Sequence, residues 1–432
     1  MGTLLVQRSQ FAKIWAHLAE NEITVILGPR QSGKTTLVKQ LKDELINKEV
    51  TTSDKVFYFN LDVLSDREIF SDQSVFIRFL KNRVVDGQKL YIFVDEAQRI
   101  PESGIFFKGV YDLNLPVKII LTGSSSLEIK AKIAEPLTGR KRLFTLFPLS
   151  FPEILGFYDP DLLKFQDSND QYALEKIKNV FYKFCVTGGY PKVVLSLDSE
   201  KRADFLEEIF TSYLEKDVIG LAKIKDQYAF SKLVKIFSEE AGNLLNIEQT
   251  AQEINIKAET ISKYLNVLEQ TFVVKRIAPY FHSTRAEIRK MPKVYFIDTG
   301  LRGFTKDGRD FENTDFLQRQ DKGQILENMV FSEIVKAGFK EINFWRTKDG
   351  SEVDFIINTS AGLIPVEIKS SELSDDNLTR SFSFFLDRYK PKLGYVVNLK
   401  QQSIRKIEDT EVRFVLPFQL VPQLLKITPV EF

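Results

Sequence analysis

Short apolar runs alternate with amphipathic segments over the first 150 residues, which is the pattern of an α/β protein. β-branched and apolar residues at 23–27 and 90–94 predict buried strands, and a third strand is predicted at 117–121. The segment after the first run has helical spacing, with Leu37 and Leu41 on one face. Strands and helices in this order favour a parallel sheet covered by helices.

The pattern changes after the prolines at 148 and 152. Residues 151–222 are mainly helical in pattern. Residues 223–297 show a helix, a short helix, a turn, a longer helix and a β-rich run, which is the order of a winged helix-turn-helix. Residues 298–432 return to a mixture of strands and helices.

Composition narrows the classes of function. The chain has 432 residues, which is too long for one compact core, and its 43% hydrophobic and 28% charged residues are ordinary for a globular protein. Because 60 Lys and Arg face 59 Asp and Glu, any nucleic-acid surface must be a local patch. One cysteine excludes an internal disulfide, and two histidines argue against a multi-histidine metal site or a histidine-based triad. No apolar run reaches about 18 residues, so we expect a cytoplasmic protein with no membrane span.

The segment GPRQSGKT at 28–35 has the spacing of a phosphate-binding loop, between a predicted strand and a predicted helix. Glycines let backbone amides approach a phosphate, and the helix N-terminus adds partial positive charge. Lys34 can reach the β- and γ-phosphates of ATP, and the Thr35 hydroxyl can hold Mg²⁺. A chance turn is the competing interpretation, and the strand–loop–helix context argues against it. The candidate ATP-binding residues are Gly28, Pro29, Arg30, Gln31, Ser32, Gly33, Lys34, Thr35 and Thr36.

Two acids, Asp95 and Glu96, directly follow the second apolar strand. The carboxyl ends of parallel strands meet at one edge of a sheet, where ligands bind. We therefore expect Asp95 to lie behind Thr35 and to bind Mg²⁺ or its water. Glu96 would orient and deprotonate the attacking water, with Lys34 as the cationic partner of the phosphates. The alternative is that both acids only cap the next turn.

Two further positions are candidates for contact with the γ-phosphate. The third strand ends in Thr122-Gly123-Ser124, and either Thr122 or Ser124 can sense the phosphate from the tip of that strand. Arg140 belongs to a basic run at 138–142 and could act as an arginine finger on the ATP of a neighbouring subunit. We therefore expect a homo-oligomer. A solvated cationic turn is the other interpretation of Arg140.

These motifs resemble those of AAA-type P-loop ATPases. More closely, the chain resembles a prokaryotic family in which such an ATPase carries a C-terminal domain of unknown function. The resemblance rests on GPRQSGKTTL, FVDEAQ, LTGSSS, GRKRLFTLFPLSFPEIL and GGYP. It implies an ASCE-type core with strand order near 5-1-4-3-2. We predict an ATPase core, a helical lid, a winged helix-turn-helix and a mixed C-terminal domain at 1–150, 151–222, 223–297 and 298–432.

The longer helix of the third region is the candidate DNA-reading element. Its sequence from Ala258 to Gln270 places apolar residues at helical spacing and leaves polar types outward. A cationic stretch follows it and extends to Lys293. Duplex DNA contact by helix and wing is one interpretation, and a winged-helix fold used only for protein packing is the other. The candidate nucleic-acid-binding residues are Lys257, Thr260, Lys263, Asn266, Lys275 and Arg276.

The fourth region contains an Asp before a hairpin and then Glu-x-Lys on a strand, at Asp354, Glu367 and Lys369. This order resembles the PD-(D/E)xK, or restriction-endonuclease-like, fold. Residues two apart on a strand share a face, so Glu367 and Lys369 point into one site. Asp354 and Glu367 would hold Mg²⁺, and Lys369 would orient a water. The resemblance adds Glu327 as a fourth member. The alternative is a relic whose charges pair with one another.

The sequence thus predicts Mg²⁺-dependent ATP hydrolysis coupled to DNA binding or remodelling, with nuclease activity left open. ATP and Mg²⁺ are the expected cofactors, and DNA and further copies of the chain are the expected partners. One alternative is an ATP-gated signalling or defence switch whose C-terminal domains recruit proteins. Another is a DNA-binding protein with an inactive nuclease-like platform.

Overall fold

The computed structural model describes residues 5–84, 88–123, 136–212, 226–280, 291–373, 376–400 and 402–428. The chain divides into two compact units. The first comprises Met1–Leu149, Thr211–Lys225 and Gln270–Phe272, and the second comprises Ser150–Phe210, Asp226–Glu269 and Val273–Phe432. None of the described helices has the length and apolar character that a membrane crossing requires.

The first unit contains a five-stranded parallel sheet. Its strands are β1 (Ile23–Leu27), β2 (Val56–Asn60), β3 (Leu90–Asp95), β4 (Val117–Gly123) and β5 (Lys141–Thr145). They lie in the order β2-β3-β4-β1-β5, with every neighbouring pair parallel. The predicted P-loop ATPase sheet and its strand order, 5-1-4-3-2, are therefore confirmed. The helices of this unit are α1 (Ser9–His17), α2 (Lys34–Asn47), α3 (Leu64–Arg67), α4 (Gln73–Lys81) and α5 (Ser103–Tyr111).

Strand β1 is buried along its whole length. Val25 and Leu27 belong to the apolar cluster that includes residues of α4 and α5, whereas Ile26 belongs to the cluster that includes residues of α1 and α2. A strand covered on both faces reads as a continuous apolar run, as this one does. The sandwiched sheet brings the carboxyl ends of β1, β3 and β4 to one edge, where the predicted motifs lie.

The helices that follow the sheet are α6 (Phe151–Tyr158), α7 (Pro160–Leu163), α8 (Gln171–Thr187), α9 (Pro191–Leu195) and α10 (Ser199–Ser212). Three more helices come next, α11 (Gln227–Glu239), α12 (Ile247–Glu253) and α13 (Ala258–Gln270). They are followed by an antiparallel pair of strands, β6 (Val274–Ile277) and β7 (Lys293–Phe296). Three helices and an antiparallel pair of strands thus follow one another, and the winged helix-turn-helix at residues 223–297 stays a prediction.

The C-terminal part of the second unit is built on a mixed six-stranded sheet, in the order β12-β13-β11-β10-β9-β8. Its elements are α14 (Thr299–Asp307), α15 (Lys322–Lys336), β8 (Ile342–Arg346), β9 (Glu352–Thr359), β10 (Gly362–Ile368), α16 (Arg380–Tyr389), β11 (Leu393–Val397), β12 (Ser403–Ile407), β13 (Thr410–Val415) and α17 (Leu420–Ile427). Phe382 and Phe385 of α16 pack in one apolar cluster with Val396 and Phe414 of the sheet. The mixed α/β character of this region agrees with the predicted fold class.

The GGYP segment follows α8 in the chain and contacts the residues at the start of α14. The buried Asp298 carboxylate accepts a hydrogen bond from the backbone N of Gly189 at 2.6 Å, and burial raises the pKa of this carboxyl. A Cβ atom added to Gly300 would lie 2.1 Å from the backbone oxygen of Thr187. Two backbones therefore approach at a distance that only glycine permits.

Two glycines one helical turn apart on α14 provide a matched test of this contact. We expect Gly300→Ala to lower the free energy of unfolding by about 1–3 kcal/mol, because the new methyl overlaps a backbone atom. Gly303→Ala should raise it by about 0.5–1 kcal/mol, because its Cβ meets only ordinary contacts with Phe311. Denaturant unfolding of both variants measures the difference, and equal effects would rule out the close approach as the reason for glycine.

Candidate functional site

The predicted phosphate-binding loop follows β1 and leads into α2. Gly33 immediately precedes the helix with a φ of 95°, a conformation that suits glycine. A Cβ atom on Gly28 would lie 2.1 Å from the backbone oxygen of Leu146, so the chain segment after β5 passes directly behind the loop. The backbone N of Leu146 donates to the oxygen of Leu27 at 2.7 Å, which fixes that segment beside the loop.

The interior of the loop presents groups that suit phosphate oxygens. The Lys34 Nζ atom donates to the backbone oxygens of Gly28 at 2.9 Å and Pro29 at 2.7 Å, and the side chain is only 6% exposed. Among the described residues, the buried Ser32 Oγ and Gln31 Oε1 atoms have no hydrogen-bond partner. A cation, a hydroxyl donor and a helix N-terminus together fit an anionic ligand. For Pro29, Arg30 and Thr36, contact with a nucleotide stays a prediction.

The Asp95 carboxylate lies beside the loop, at the end of β3, and is 3% exposed. The Thr35 hydroxyl donates to Asp95 Oδ2 at 2.7 Å, and the Thr122 hydroxyl donates to Asp95 Oδ1. The two predicted Mg²⁺-binding side chains are therefore adjacent, and their oxygen atoms suit that ion. Within the described ranges, no group of three or more His, Cys, Asp or Glu is placed to hold a metal. Mg²⁺ here would need phosphate and water oxygens as additional ligands, which is its usual mode in nucleotide sites.

Glu96 adopts a left-handed backbone conformation, with φ 59° and ψ 43°. Its Oε2 atom accepts a hydrogen bond from Gln98 Nε2 at 2.5 Å, and its backbone N donates to the Thr122 hydroxyl at 3.3 Å. Thr122 thus contacts the side chain of one acid and the backbone of the next. The role of Glu96 as a base stays a prediction. Ser124, the alternative phosphate sensor, lies outside the described residues.

Two residues at this site were missed by the sequence analysis. The Tyr58 hydroxyl, near the end of β2, donates to Asp95 Oδ2 at 3.0 Å. Burial and the Asp95 carboxylate raise the pKa of Tyr58, which keeps the phenol a proton donor. The Arg8 guanidinium donates to the backbone oxygens of Ser32 at 2.7 Å and Phe147 at 2.6 Å, and so holds the back of the loop. Tyr58 could have been found from the strand order, because β2 lies beside β3 and its polar residues can reach Asp95. No sequence motif identifies Arg8.

Arg140 lies at the opposite edge of the same sheet. Its backbone oxygen accepts a hydrogen bond from Ile23 N at 2.9 Å, at the start of β1, whereas the phosphate-binding loop follows Leu27. Four strand residues separate these ends by about 13 Å. The guanidinium pairs with the Asp112 carboxylate at 2.7 Å. Arg140 is therefore remote from the loop of its own chain, and the arginine-finger role on a neighbouring subunit stays a prediction.

The predicted DNA-reading residues of α13 and its preceding turn lie largely at the surface. The side chains of Lys257, Lys263 and Asn266 are exposed, and that of Thr260 is half-buried. Arg276 on β6 contacts the Glu269 carboxylate at 3.0 Å and donates to Asn266 Oδ1 at 2.8 Å. Lys275 is half-buried, and burial lowers its pKa. The hairpin cations are thus partly engaged within the protein. Residues 281–290, which carry more of the predicted cationic stretch, lie outside the described ranges.

The predicted nuclease-like residues form a second carboxylate cluster, in the second unit. Lys369 Nζ lies 2.6 Å from Glu367 Oε1, and the backbone N of Ile368 donates to Asp354 Oδ2 at 2.7 Å. Burial, followed by the nearby carboxylates of Glu327 and Glu367, raises the pKa of Asp354. Glu367 Oε2 is buried without a hydrogen-bond partner among the described residues. The four predicted side chains therefore converge, although a metal-binding role stays a prediction.

Glu327 of α15 is bonded to strand β7. The Tyr295 hydroxyl donates to Glu327 Oε1 at 2.5 Å, and Lys293 Nζ lies 3.4 Å from the same oxygen. Burial lowers the pKa of Lys293, but the carboxylates of Glu327 and Glu352 outweigh it, so the net shift is upward. Lys293 belongs to the cationic stretch for which the sequence predicts DNA contact, and Tyr295 is not among the predicted residues. No local motif signals either contact, because the partners are more than 30 residues apart.

Comparison with protein families agrees with this architecture. Residues 20–155 match the family described as an AAA domain. Residues 178–310 and 322–421 match two domains of unknown function, DUF8612 and DUF4143. The predicted resemblance is confirmed: the chain carries an AAA-type P-loop ATPase domain followed by C-terminal domains of unknown function.

Relatives extend over most of the chain. An uncharacterized protein of Haemophilus influenzae is 24% identical over 97% of this chain and 100% of its own length. An uncharacterized protein of Methanocaldococcus jannaschii is 28% identical over 89% of this chain and 82% of its own length. Among solved structures, the Aeropyrum pernix ORC2 protein with ADPNP and ADP overlaps 66% of this chain and 90% of its own, with 13% identity and a TM-score of 0.40.

The double contact of Thr122 gives a testable expectation. Thr122→Val removes the hydroxyl that donates to Asp95 and accepts from the Glu96 backbone. We expect it to lower ATP turnover about 10–100-fold, as loss of a group that orients a metal ligand commonly does. Thr122→Ser keeps the hydroxyl and should retain most of the turnover. Steady-state phosphate release measures both variants, and an equal loss in the two would contradict a specific role for the hydroxyl.

Proposed function

We propose that this chain, an AAA-domain protein with C-terminal domains of the DUF8612 and DUF4143 families, hydrolyses ATP with Mg²⁺ and couples hydrolysis to DNA contact. The observation that supports ATP hydrolysis is the position of Lys34, Thr35 and Asp95 together at the carboxyl edge of one parallel sheet. Ligands of such sheets bind at that edge. An AAA domain over residues 20–155 supports the same assignment.

The groups of the loop would act on the phosphates of ATP. The Lys34 ammonium would exchange the carbonyl oxygens of Gly28 and Pro29 for β- and γ-phosphate oxygens. The Ser32 hydroxyl would donate to a phosphate oxygen and gain the partner that it lacks. Bound by Thr35 and Asp95, Mg²⁺ would neutralise part of the phosphate charge.

Glu96 is the proposed general base for the attacking water. Its carboxylate is held by Gln98 at 2.5 Å, so it must exchange that hydrogen bond for one with the water. Thr122 joins the Asp95 carboxylate to the Glu96 backbone, which couples the position of the base to the position of the metal ligand. Arg140 would act in the site of another subunit.

DNA contact is proposed for the exposed side of α13. Lys257 and Lys263 are exposed cations, and Asn266 offers an amide to phosphates or base edges. A second candidate, an ATP-gated switch that recruits protein partners, is favoured by the internal pairing of Arg276 with Glu269. That pairing leaves the hairpin with less cationic surface than the sequence predicted.

ATP turnover measured with and without duplex DNA tests the proposal. Wild-type turnover should rise when duplex DNA is added. Lys34→Ala should abolish turnover, because the phosphates lose their cation, whereas Lys39→Ala, an exposed lysine on the same helix, should not change it. Full turnover in Lys34→Ala would refute the assigned site. Turnover that DNA leaves unchanged, together with ATP-dependent oligomerisation, would favour the switch.

The DNA contact has its own matched test. Lys257→Ala combined with Lys263→Ala should weaken binding about equally for all duplex sequences. The slope of log K against log salt should fall by about 2, because each lost phosphate contact contributes about 1. Lys176→Ala combined with Lys201→Ala makes the same change of charge on exposed positions of α8 and α10. Fluorescence anisotropy at several salt concentrations measures both pairs. Equal effects would indicate non-specific electrostatics and contradict the assigned surface.

A further inference from the structure

Lys293 of strand β7 is buried among the carboxylates of the C-terminal domain. Its Nζ atom lies 2.5 Å from Glu352 Oε1 and 3.4 Å from Glu327 Oε1, and its side chain is 3% exposed. The Phe344 ring closes another side, with its centre 5.4 Å from the ammonium. A cation thus occupies the side of the cluster where Glu327 and Glu352 meet.

The remaining carboxylate oxygens are mostly engaged within the protein. Glu327 accepts the Tyr295 hydroxyl, Glu367 accepts the Thr379 hydroxyl at 3.1 Å, and Asp354 accepts the backbone N of Ile368. Lys369 balances the charge of Glu367, whose second oxygen is the one left without a partner in the described structure. Each of Glu327, Glu352 and Glu367 lies within 3.4 Å of a lysine ammonium, so a metal at this cluster would have to displace Lys293 or Lys369. The metal that the nuclease-like resemblance implies therefore does not fit the cluster while these ammonium groups remain in place.

Strand β7 is held in place on both sides. Along one edge, β7 pairs with β6. Along the other edge, the backbone N of Gly242 donates to the oxygen of Val294 at 3.0 Å. On that same edge, the buried Asn328 side chain of α15 accepts from the backbone N of Phe296 at 2.9 Å and donates to its oxygen at 2.7 Å. Asn328 follows Glu327 directly, so the helix that carries the carboxylate also binds the strand that carries the ammonium. These bonds fix the backbone that carries Lys293 beside α15.

We infer that the carboxylate cluster of the DUF4143 domain is an internal latch rather than a metal-dependent cleavage centre. The Lys293 ammonium supplies the positive charge that a metal would supply, and it fixes the hairpin of β6 and β7 against α15. The helices α11 to α13 precede this hairpin in the chain, and the latch ties their module to the nuclease-like domain. The nuclease-like fold thereby serves to hold the module of α11 to α13 rather than to cleave nucleic acid.

A Mn²⁺ titration of the whole chain tests the inference, with electron paramagnetic resonance as the readout. Asp95→Asn is the background, because it removes the metal ligand proposed at the ATP site. We expect the amount of bound Mn²⁺ to be unchanged when Asp354→Asn is added, and we expect no Mg²⁺-dependent cleavage of duplex or single-stranded DNA by the wild-type chain. Loss of a bound Mn²⁺ on adding Asp354→Asn, or cleavage that Asp354→Asn abolishes, would overturn the inference.

A double-mutant cycle tests the latch itself. Lys293→Met removes the cation that Glu327 and Glu352 share and leaves Glu352 paired, among the described residues, only with Arg346 at 2.6 Å, so the temperature of unfolding should fall. Adding Glu352→Gln should recover part of that fall, because it removes one negative charge from the cluster. Lys369→Met with Glu367→Gln is the comparison pair at the edge of the cluster. If Lys293→Met does not fold, the Mn²⁺ titration of Asp95→Asn with and without Asp354→Asn still tests the inference. Additive effects of the two substitutions at 293 and 352 would contradict a latch.

Discussion

The Asp95 carboxylate is the group on which the nucleotide site depends. It is almost fully buried, and a buried anion is costly unless donors surround it. Hydroxyl groups of Thr35, Tyr58 and Thr122 supply those donors from α2, β2 and β4. The acid therefore connects α2, the helix after the predicted phosphate-binding loop, to both strands that flank β3.

The chain has two clusters of buried carboxylates, and different kinds of group compensate the negative charge in each cluster. The Asp95 cluster is balanced by neutral hydroxyls, which leave the anion free to accept a divalent cation. In the cluster at Glu327 and Glu352, the Lys293 ammonium pairs with both carboxylates, and Arg346 also pairs with Glu352, so the cations there are side chains of the protein. The charge of the partner, more than the presence of carboxylates, thus separates a candidate catalytic site from a structural one.

The sequence predicted that Thr35 and Asp95 lie together, because the candidate nucleotide residues follow rules of spacing. A glycine loop after a strand and an acid at the end of a neighbouring strand must meet at one sheet edge. The same rule places Arg140, which precedes its strand, at the opposite edge, so that part of the prediction could have been refined from sequence. Lys293 could not be placed, since its partners depend on how β7 packs against α15. A surface lysine and a buried one have the same local sequence signal.

A calorimetric titration of the whole chain with a nonhydrolysable ATP analogue, in Mg²⁺ and again in a chelator, tests most directly whether Asp95 holds the Mg²⁺ of a bound nucleotide. We predict that the wild-type chain binds the analogue more tightly with Mg²⁺. In Asp95→Asn, binding in the chelator should persist while the gain from Mg²⁺ is lost. An analogue that fails to bind, or an Asp95→Asn variant that keeps the full gain from Mg²⁺, would contradict this prediction.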